Sequence, residues 1–375
     1  MTDRLAGAIA AGGTAGHVNP ALALAEELAD RGHAVRFFGQ TRRLEGTLVP
    51  KAGFPFFPVE VTGFDRERPW SIVPALLHLA REERRLVSAF RADSSLRPDV
   101  VVGFGAYVEL PLVRAAARLG IPVVLHEQNS VSGLANRKSA SSAALVAISQ
   151  PGVRETFERA GAKRIEFTGN PVLRSVLSGD RARGRAALGI PEDAVLLLAF
   201  GGSLGAQHIN RFMASIKDEL LSRSGVYVLH SCGAEDFDAT RDALALTADE
   251  AERYRVQPYI DDMGDMLAAS DLVLSRAGAS SVAEIAALAV PSVLVPYPHA
   301  TADHQTTNAR FLVDSGAAVM CADADIDGDG FARTLLGLVD DGAARDGMRA
   351  AARGLAASRA ACALADGVES VCAGA

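Results

Sequence analysis

Two stretches of this 375-residue chain decide its fold: Ile9-Ala10-Ala11-Gly12-Gly13-Thr14-Ala15-Gly16 and Leu198-Ala199-Phe200-Gly201-Gly202-Ser203-Leu204-Gly205. In each, an apolar run ends in a glycine-rich turn, and a segment with helical periodicity follows. Continuous apolar runs of this length are typical of strands buried on both faces of a parallel sheet. The two stretches therefore predict an α/β, doubly wound architecture with one parallel sheet in each half of the chain.

Apolar runs separated by helical patterns continue outward from both turns. The predicted strands are Gly7–Ala11, Ala34–Phe38, Val100–Val102, Val123–Leu125 and Leu145–Ala147 in the first half, and Val195–Phe200, Val226–His230, Leu272–Leu274, Ser292–Val295 and Ala317–Met320 in the second. The segment from Gly169 to Pro191 is turn-rich and then strongly charged, which makes it the natural domain boundary. The alanine-rich tail from Ala343 to Ala363 is predicted to be helical.

Composition excludes several classes of protein. Hydrophobic residues make up 49% of the chain and charged residues 22%, as in globular proteins with a sizeable core. The net charge of −7 provides no bulk positive field, so no nucleic acid is expected as a partner. The four cysteines lack metal-ligand spacing, which predicts no metal site and a reducing cytosol. No apolar run reaches the roughly 18 residues of a membrane span, so we expect a protein that is soluble or that contacts a membrane only at its surface.

The first glycine-rich turn, Gly12 to Gly16, can bring backbone N–H groups close to an anion such as a phosphate. No lysine follows it, so it is not the classical phosphate loop. The dinucleotide fingerprint fails in its glycine spacing and in its acidic residue, since Gly39-Gln40-Thr41 stand at that position. A purely structural tight turn stays open as the alternative, both here and at Gly201 to Ala206.

Polar clusters follow several predicted strands, at the sheet edge where open α/β sheets bind ligands. Such clusters are His126-Glu127-Gln128-Asn129 and Asp303 to Ala309. The segment Ser275 to Glu284 places small residues at a helix start and a carboxylate that can accept hydrogen bonds from a vicinal diol such as a ribose. The Ser281-x-x-Glu284 spacing is also a capping box, in which Glu284 would only close the helix end.

These blocks occur together in a specific order: Gly-Gly-Thr-x-Gly-His at 12–17, Glu-Gln-Asn at 127–129, Gly-Asn-Pro-Val at 169–172, Gly-Gly-Ser-x-Gly-Ala at 201–206, Arg-Ala-Gly-Ala at 276–279 with Glu284, and His-Gln-x-x-Asn-Ala at 304–309. Over roughly Gly12 to Ala318 the chain closely resembles the MurG family of bacterial cell-wall glycosyltransferases. The resemblance implies the GT-B fold, with two Rossmann-like domains facing a cleft. The acceptor domain would be 1–173 and the UDP-sugar domain 174–354, with a C-terminal helix at about 355–375 packing back on the first.

The resemblance implies an inverting transfer of N-acetylglucosamine from UDP-N-acetylglucosamine to lipid I, the undecaprenyl-pyrophosphoryl-N-acetylmuramyl-pentapeptide, without metal or cofactor. It assigns Glu284 to the ribose, Ile260 to the uracil pocket and Gln305 to the donor sugar. The residues it assigns to the diphosphate are Ser203, Ala279, Ser280 and Ser281.

On the acceptor side, the residues implied to reach the sugar or the acceptor pyrophosphate are Thr14, Ala15, Gly16 and Asn129. The acceptor hydroxyl must lose a proton. His17 is the leading candidate base, because an imidazole titrates near neutrality, and Glu127 is the second. The alternative for His17 is a neutral hydrogen-bonding group at the helix start.

The chain departs from the family pattern at three positions. Ala15 and Leu204 stand where members often have Gly and Gln. Leu173 stands where many members have Arg, so a phosphate contact is assigned to the next residue, Arg174.

The segment from Trp70 to Phe90 bears on the lipid. Its apolar residues recur at helical spacing, and Phe64 to Arg91 holds six arginines against four acidic residues. An apolar face flanked by arginines is typical of a helix docked on an anionic membrane, here the cytoplasmic face of the cell membrane. The residues expected to contact the membrane are Trp70, Ile72, Leu76 and Leu79. A helix packed into the core is the alternative.

Two other functions stay open at this point. A UDP-N-acetylglucosamine 2-epimerase would share the fold and the nucleotide sugar but would need no acceptor lipid. A non-catalytic subunit would bind the nucleotide sugar and recruit a partner enzyme to the membrane.

Overall fold

The computed structural model describes residues 4–62, 70, 72–202, 205–355 and 357–374. The chain divides into two compact units. The first contains Met1–Leu173 and Arg359–Ala375, and the second contains Arg174–Ser358.

The described residues of the first unit form a seven-stranded sheet in which every pairing is parallel. Its strands are β1 Ala6–Ala10, β2 Ala34–Gly39, β3 Phe56–Pro58, β4 Val100–Gly103, β5 Val123–Glu127, β6 Leu145–Ile148 and β7 Ile165–Phe167, in the order β3-β2-β1-β4-β5-β6-β7. The helices that connect them are α1 Ala15–Asp30, α2 Glu45–Lys51, α3 Ile72–Ala92, α4 Glu109–Leu119, α5 Leu134–Ser139 and α6 Arg154–Arg159.

The described residues of the second unit form a six-stranded parallel sheet. Its strands are β8 Val195–Phe200, β9 Val226–Ser231, β10 Tyr254–Gln257, β11 Leu272–Ser275, β12 Ser292–Leu294 and β13 Ala318–Met320, in the order β10-β9-β8-β11-β12-β13. This is the strand order of the dinucleotide-binding fold. Its helices are α7 Arg174–Leu177, α8 Arg181–Leu188, α9 Gln207–Ser215, α10 Lys217–Leu221, α11 Phe237–Leu244, α12 Ala248–Arg253, α13 Met263–Ala269, α14 Ala279–Ala287, α15 His304–Val313, α16 Asp329–Asp340 and α17 Gly342–Arg353.

The continuous apolar strands of the first unit bury alternate residues on opposite faces of the sheet. Ile9 and Val102 face one helix layer together with Leu24 of α1. Ala8 and Val101 face the other layer. Helices therefore cover both faces of the sheet, which confirms the doubly wound α/β prediction.

The sequence missed three of the described strands, and all three lie at sheet edges. They are β3, β7 and β10. Each is only partly buried, and β7 and β10 carry charged residues, Glu166 and Arg255. An edge strand has a half-solvated surface, so the continuous apolar signal of a central strand is lost.

The alanine-rich tail is not one helix, because α17 ends at Arg353 and the next α-helix begins at Ala360. A last helix, α18 (Ala360–Ala373), packs on α1 and β6 of the first unit. Leu364 and Val368 are buried in the first unit's core. Gly367 lies against Leu145, so closely that a Cβ there would come within 2.8 Å of the leucine side chain.

Arg31, at the end of α1, forms charged hydrogen bonds to α18. Its guanidinium donates to Asp366 at 2.7 Å, to Glu369 at 3.1 Å and to the carbonyl of Cys362 at 3.2 Å. The ring of His33 contacts the same Glu369 at 2.9 Å. Polar contacts at this helix pair therefore add to the apolar packing.

We expect Arg31→Met to lower the free energy of unfolding of the first unit by about 1.5–3 kcal/mol, the usual contribution of hydrogen bonds to charged groups. Urea unfolding followed by circular dichroism measures the change. Arg42→Met is the control, because Arg42 is exposed on the same unit. Equal stability of the two variants would contradict a fastening role for Arg31.

Candidate functional site

The polar turns of the first unit converge at one sheet edge. Strands β1, β4 and β5 are adjacent, and the turns that follow them begin at Ala11, Phe104 and Gln128. Because parallel strands end at the same edge, this order gathers the predicted acceptor-side residues. They are Thr14, Ala15, Gly16, His17, Glu127 and Asn129.

His17 lies in the first turn of α1, between two glycine-rich turns. Its Nδ1 is 3.0 Å from the hydroxyl oxygen of Thr14. On the other side, a Cβ built on Gly105 would come within 3.2 Å of the imidazole Cδ2. Gly105 also has a φ of 88°, so glycine is required there for both backbone conformation and space. The turn after β4 thus forms one wall of the His17 site.

Glu127 is buried, and both of its carboxylate oxygens accept hydrogen bonds. The donors are the backbone N–H of Asn129 at 3.2 Å, the backbone N–H of Gly133 at 2.9 Å and the side-chain amide of Asn136 at 3.0 Å. Burial raises the pKa of Glu127, and these hydrogen bonds oppose the rise. The geometry makes Glu127 the support of the loop after β5, where Asn129 lies.

Two further buried carboxyl groups, which sequence reasoning missed, support the glycine-rich turns of this unit. Glu45 accepts from the backbone N–H of Gly13 at 3.1 Å, and a Cβ at Gly12 would collide with its carboxylate. Glu109 accepts from the backbone N–H of Gly105 at 2.6 Å. In the sequence, each of these glutamates follows a predicted strand and a turn. A glutamate at that place is ordinarily interpreted as an exposed residue at a helix start, so the sequence did not reveal that these two are buried.

Glu109 has no exposed surface, and its Oε1 has no hydrogen-bond partner among the described residues. Burial raises the pKa of Glu109 to about 8; the hydrogen bond from Gly105 lowers it, and the nearby charge of Glu127 adds to the rise. The group therefore holds the turn as a neutral acid near pH 7.

The second unit repeats this arrangement at its own sheet edge. Strands β8, β11 and β12 are adjacent, and the turns after them begin at Gly201, Arg276 and Val295. A cavity of about 570 Å³ opens there. Its lining includes Gly201, Gly205, His208, Arg211, Arg276, Tyr297, His299, Gln305 and Asp323.

The start of helix α14 tests whether Glu284 is part of a capping box. Its N-cap is Gly278 and its first residue is Ala279, so Ser281 lies inside the helix. The capping-box interpretation is therefore wrong. Glu284 is half-buried, and burial raises its pKa to about 7. The Ser280 hydroxyl oxygen is buried without a partner among the described residues, which suits a group that awaits a ligand.

Gln305 has its amide fixed in one orientation. Its Oε1 accepts from the backbone N–H of Tyr297 at 2.9 Å and from that of Ala277 at 3.2 Å. The amide nitrogen is therefore the end that can donate to a ligand. Asn308, one turn further along α15, donates to the carbonyl of Ala277 at 3.3 Å and supports the same loop.

The other predicted residues lie in varied surroundings. Ile260 is buried in the segment after β10. Ser203 and Leu204 lie outside the described residues. Leu173 packs against the core of the first unit, while Arg174 is exposed at the start of α7 in the second.

The α3 segment is divided between surface and core. Exposed residues at and just before its N-terminal end are Trp70 (73%), Val73 (58%), Leu76 (53%) and Leu77 (65%), which we call the apolar patch. Leu79 is only 7% exposed, because it packs against Leu110 and Ala135, so its prediction as a membrane contact is wrong. Leu86 and Phe90 are core residues, and the side chain of Ile72 lies outside the described part of the chain.

None of the described helices is both long and apolar enough to span a membrane. In the same part of the chain, no group of three or more His, Cys, Asp or Glu side chains is placed to hold a metal ion.

Because Glu109 is buried beside the Gly105 turn, we expect the free energy of unfolding to depend on pH. A carboxyl whose pKa rises from 4.5 to about 8 on folding stabilises the fold below pH 4.5, and that contribution is lost as the pH rises through 8. Across this interval wild type should lose up to about 4–5 kcal/mol relative to Glu109→Gln, which cannot ionise. Thermal unfolding against pH measures the difference. Glu155→Gln, whose side chain is 78% exposed, is the control and should follow wild type.

Comparison with known proteins identifies the family. Residues 8–148 match the glycosyltransferase family 28 N-terminal domain, and residues 196–364 match the C-terminal domain of that family. A protein of Desulforudis audaxviator is 38% identical over 94% of this chain and 94% of its own length. It is named UDP-N-acetylglucosamine--N-acetylmuramyl-(pentapeptide) pyrophosphoryl-undecaprenol N-acetylglucosamine transferase. The protein of the same name from Halothermothrix orenii is 36% identical over 88% of this chain and 89% of its own.

A solved structure agrees with the sequence relatives. The crystal structure of Acinetobacter baumannii MurG is 30% identical and covers 98% of this chain and 99% of that one, with a TM-score of 0.73. Sequence and fold together show that the chain belongs to the MurG family of glycosyltransferases and has the GT-B fold.

Proposed function

We propose that this chain is a UDP-N-acetylglucosamine-dependent hexosyltransferase of peptidoglycan synthesis. It transfers N-acetylglucosamine to the 4-hydroxyl of N-acetylmuramyl-pentapeptide pyrophosphoryl-undecaprenol, converting lipid I to lipid II. The observation that carries this proposal is the 36–38% identity over most of the chain to transferases named for that reaction. The epimerase and the non-catalytic subunit are not favoured, because these relatives are named transferases and the A. baumannii protein of similar structure is a MurG.

The donor belongs to the second unit in this proposal. Glu284 accepts hydrogen bonds from the ribose hydroxyls, and Gln305 donates its amide hydrogens to the sugar. Ile260 lines the uracil pocket. The diphosphate is held by the start of α14, where a helix N-terminus favours negative charge. The residues there are Ala279, Ser280 and Ser281, with Ser203 from the turn after β8.

The acceptor belongs to the first unit. Its pyrophosphate meets the backbone N–H groups of the turn that contains Thr14, Ala15 and Gly16, with Asn129 beside it. The acceptor oxygen O4 attacks the anomeric carbon as the bond from that carbon to the β-phosphate oxygen breaks, and the leaving UDP takes the electron pair. His17 accepts the O4 proton. Thr14 orients the imidazole at 3.0 Å, so the opposite nitrogen is the one directed to the acceptor.

Glu127 is the less suitable base, because hydrogen bonds already occupy both of its oxygens. It acts instead by holding the loop that carries Asn129. Arg174, exposed at the start of α7, is assigned a contact with a phosphate.

Transfer of labelled N-acetylglucosamine from the donor to a lipid I analogue tests the proposal with the purified chain. Wild type should yield labelled lipid II, and His17→Ala should lower kcat by about 100-fold or more, the usual contribution of a general base. Glu284→Gln, which removes a charged acceptor, should mainly raise KM for the nucleotide sugar. Release of N-acetylmannosamine would support the epimerase, and unchanged donor would support the non-catalytic subunit. Either result contradicts the proposal.

The chain also docks on the cytoplasmic face of the membrane through the apolar patch, in this proposal. Four large apolar side chains that are 53–73% exposed within one short segment are unusual for a surface that meets only water. Arg81 and Arg84, further along α3, are exposed and can attract anionic lipid headgroups.

We expect replacement of Trp70 and Leu76 by aspartate to weaken binding to vesicles with anionic lipid, while the affinity for UDP-N-acetylglucosamine stays unchanged. Apolar burial at the interface is lost and like charge is added near the headgroups. Cosedimentation with vesicles measures the first property and calorimetric titration the second. Aspartate at Phe167 is the matched control, since Phe167 is 51% exposed on strand β7 of the same unit. Unaltered sedimentation of the double variant would show that the apolar patch is not the docking surface.

A further inference from the structure

One carboxylate of the second unit, that of Asp323, links segments that surround the 570 Å³ cavity, either directly or through Arg276. Asp323, in the segment after β13, forms an ion pair with Arg276, from the loop after β11. Its other oxygen contacts His208 Nδ1 at 3.0 Å, on the first turn of α9. Arg276 in turn donates to the carbonyls of Val295 and Pro296, in the loop after β12, each at 3.2 Å.

His208 is held by carboxylates on both ring nitrogens. Its Nε2 is 3.0 Å from the carboxylate of Asp327, and its Nδ1 faces Asp323. A neutral imidazole has one N–H and one lone pair, so it can satisfy only one of these acceptors. Both contacts are hydrogen bonds at the same time only in the doubly protonated imidazolium. These carboxylates accordingly raise the pKa of His208, against the lowering effect of its partial burial.

Three of the four side chains in this cluster are mostly buried. The side chains of Asp323, His208 and Arg276 are 15%, 18% and 9% exposed, whereas that of Asp327 is 75% exposed. The Arg276 guanidinium also lies over the ring of Tyr297, at 5.6 Å from its centroid. Other charged or titratable groups around the cavity or near Asp323 are Arg211, Glu235, Asp236, His299, Cys321 and Asp325.

We propose that Asp323 is a positioning residue for the donor site, and that protonated His208 completes a clasp of His208, Asp323, Arg276 and Asp327 that holds the site in its binding geometry. The inference rests on the proposed function, because it takes the cavity edge as the place of the nucleotide sugar. The clasp links α9, which begins directly after the turn at Gly201, to the loop that carries Arg276 and leads into α14. Its proposed role is to hold the loops of the cavity, whose lining includes His208, Arg276 and Asp323.

Loss of the His208 proton removes one hydrogen bond and leaves a lone pair facing a carboxylate. The neutral ring keeps only one of its two hydrogen bonds, to Asp323 or to Asp327, so the first turn of α9 is held less firmly to the segment after β13 and to the loop that leads into α14. Because donor binding needs the turn after β8 and the start of α14 in their fixed arrangement, the affinity for the nucleotide sugar falls as the pH rises. His208 supports binding in its protonated form. The affinity is therefore high below the raised pKa of His208 and is lost above it.

The test is calorimetric titration with UDP-N-acetylglucosamine from about pH 6 to about pH 9, a window that includes the titration of imidazole. Both phosphates of this ligand are esterified, so its own charge is constant across most of the window. Wild type should lose about fivefold or more in affinity toward high pH, the lower range of ordinary coupling between sites. His208→Arg keeps a permanent cation and should lose the His208 part of the pH dependence, so that only the dependence due to Glu284, whose pKa burial raises to about 7, remains. His208→Gln should bind weakly across the window.

His299→Gln is the matched control, because it removes another histidine from the lining of the same cavity, and it should retain the wild-type pH dependence. Asp323→Asn should weaken binding at every pH, and Asp323→Glu should restore part of it. Equal pH dependence in wild type, His208→Arg and His208→Gln would overturn the clasp while leaving the donor assignment in place. Failure of wild type to bind the nucleotide sugar at any pH would overturn the donor assignment and the clasp with it.

Discussion

The burial of each parallel sheet between two layers of helices is the constraint on which the rest of this structure depends. Apolar side chains fill both faces, so polar groups collect where the strands end. In the first unit the central strands β1, β4 and β5 bring His17, the Gly105 turn and Glu127 to one edge. In the second unit β8, β11 and β12 do the same for the turn at Gly201, the start of α14 and Gln305.

Buried carboxyl groups give the glycine-rich turns of the first unit their shape. A glycine turn has many accessible conformations, and a hydrogen bond from its N–H to a fixed carboxyl selects one of them. Glu45 and Glu109 each hold such a turn from beneath. In the proposed function a negative charge at this place would repel the acceptor pyrophosphate, and the raised pKa of Glu109 avoids that at the Gly105 turn. In the second unit the corresponding support comes from charged pairs around Asp323.

The central part of the fold was predictable from the sequence, since fully buried strands have continuous apolar runs such as Val100–Val102. The edge strands were not, because Glu166 and Arg255 break the pattern where one side meets water. The motifs also predicted which turns would carry the candidate site. They could not reveal Glu45 or Glu109, because a buried glutamate at a helix start has the same local sequence as an exposed one. Helical spacing likewise did not separate exposed Leu76 from buried Leu79, since that difference depends on Leu110 of a neighbouring helix.

The most direct measurement of the central claim is amide hydrogen exchange of the full chain with and without saturating UDP-N-acetylglucosamine. Binding at the carboxyl edge of the second sheet predicts slower exchange in the turn after β8 and in the first turn of α14, with the turn after β1 little changed. Protection confined to the first unit, or to the opposite edge of the second sheet, would contradict the account.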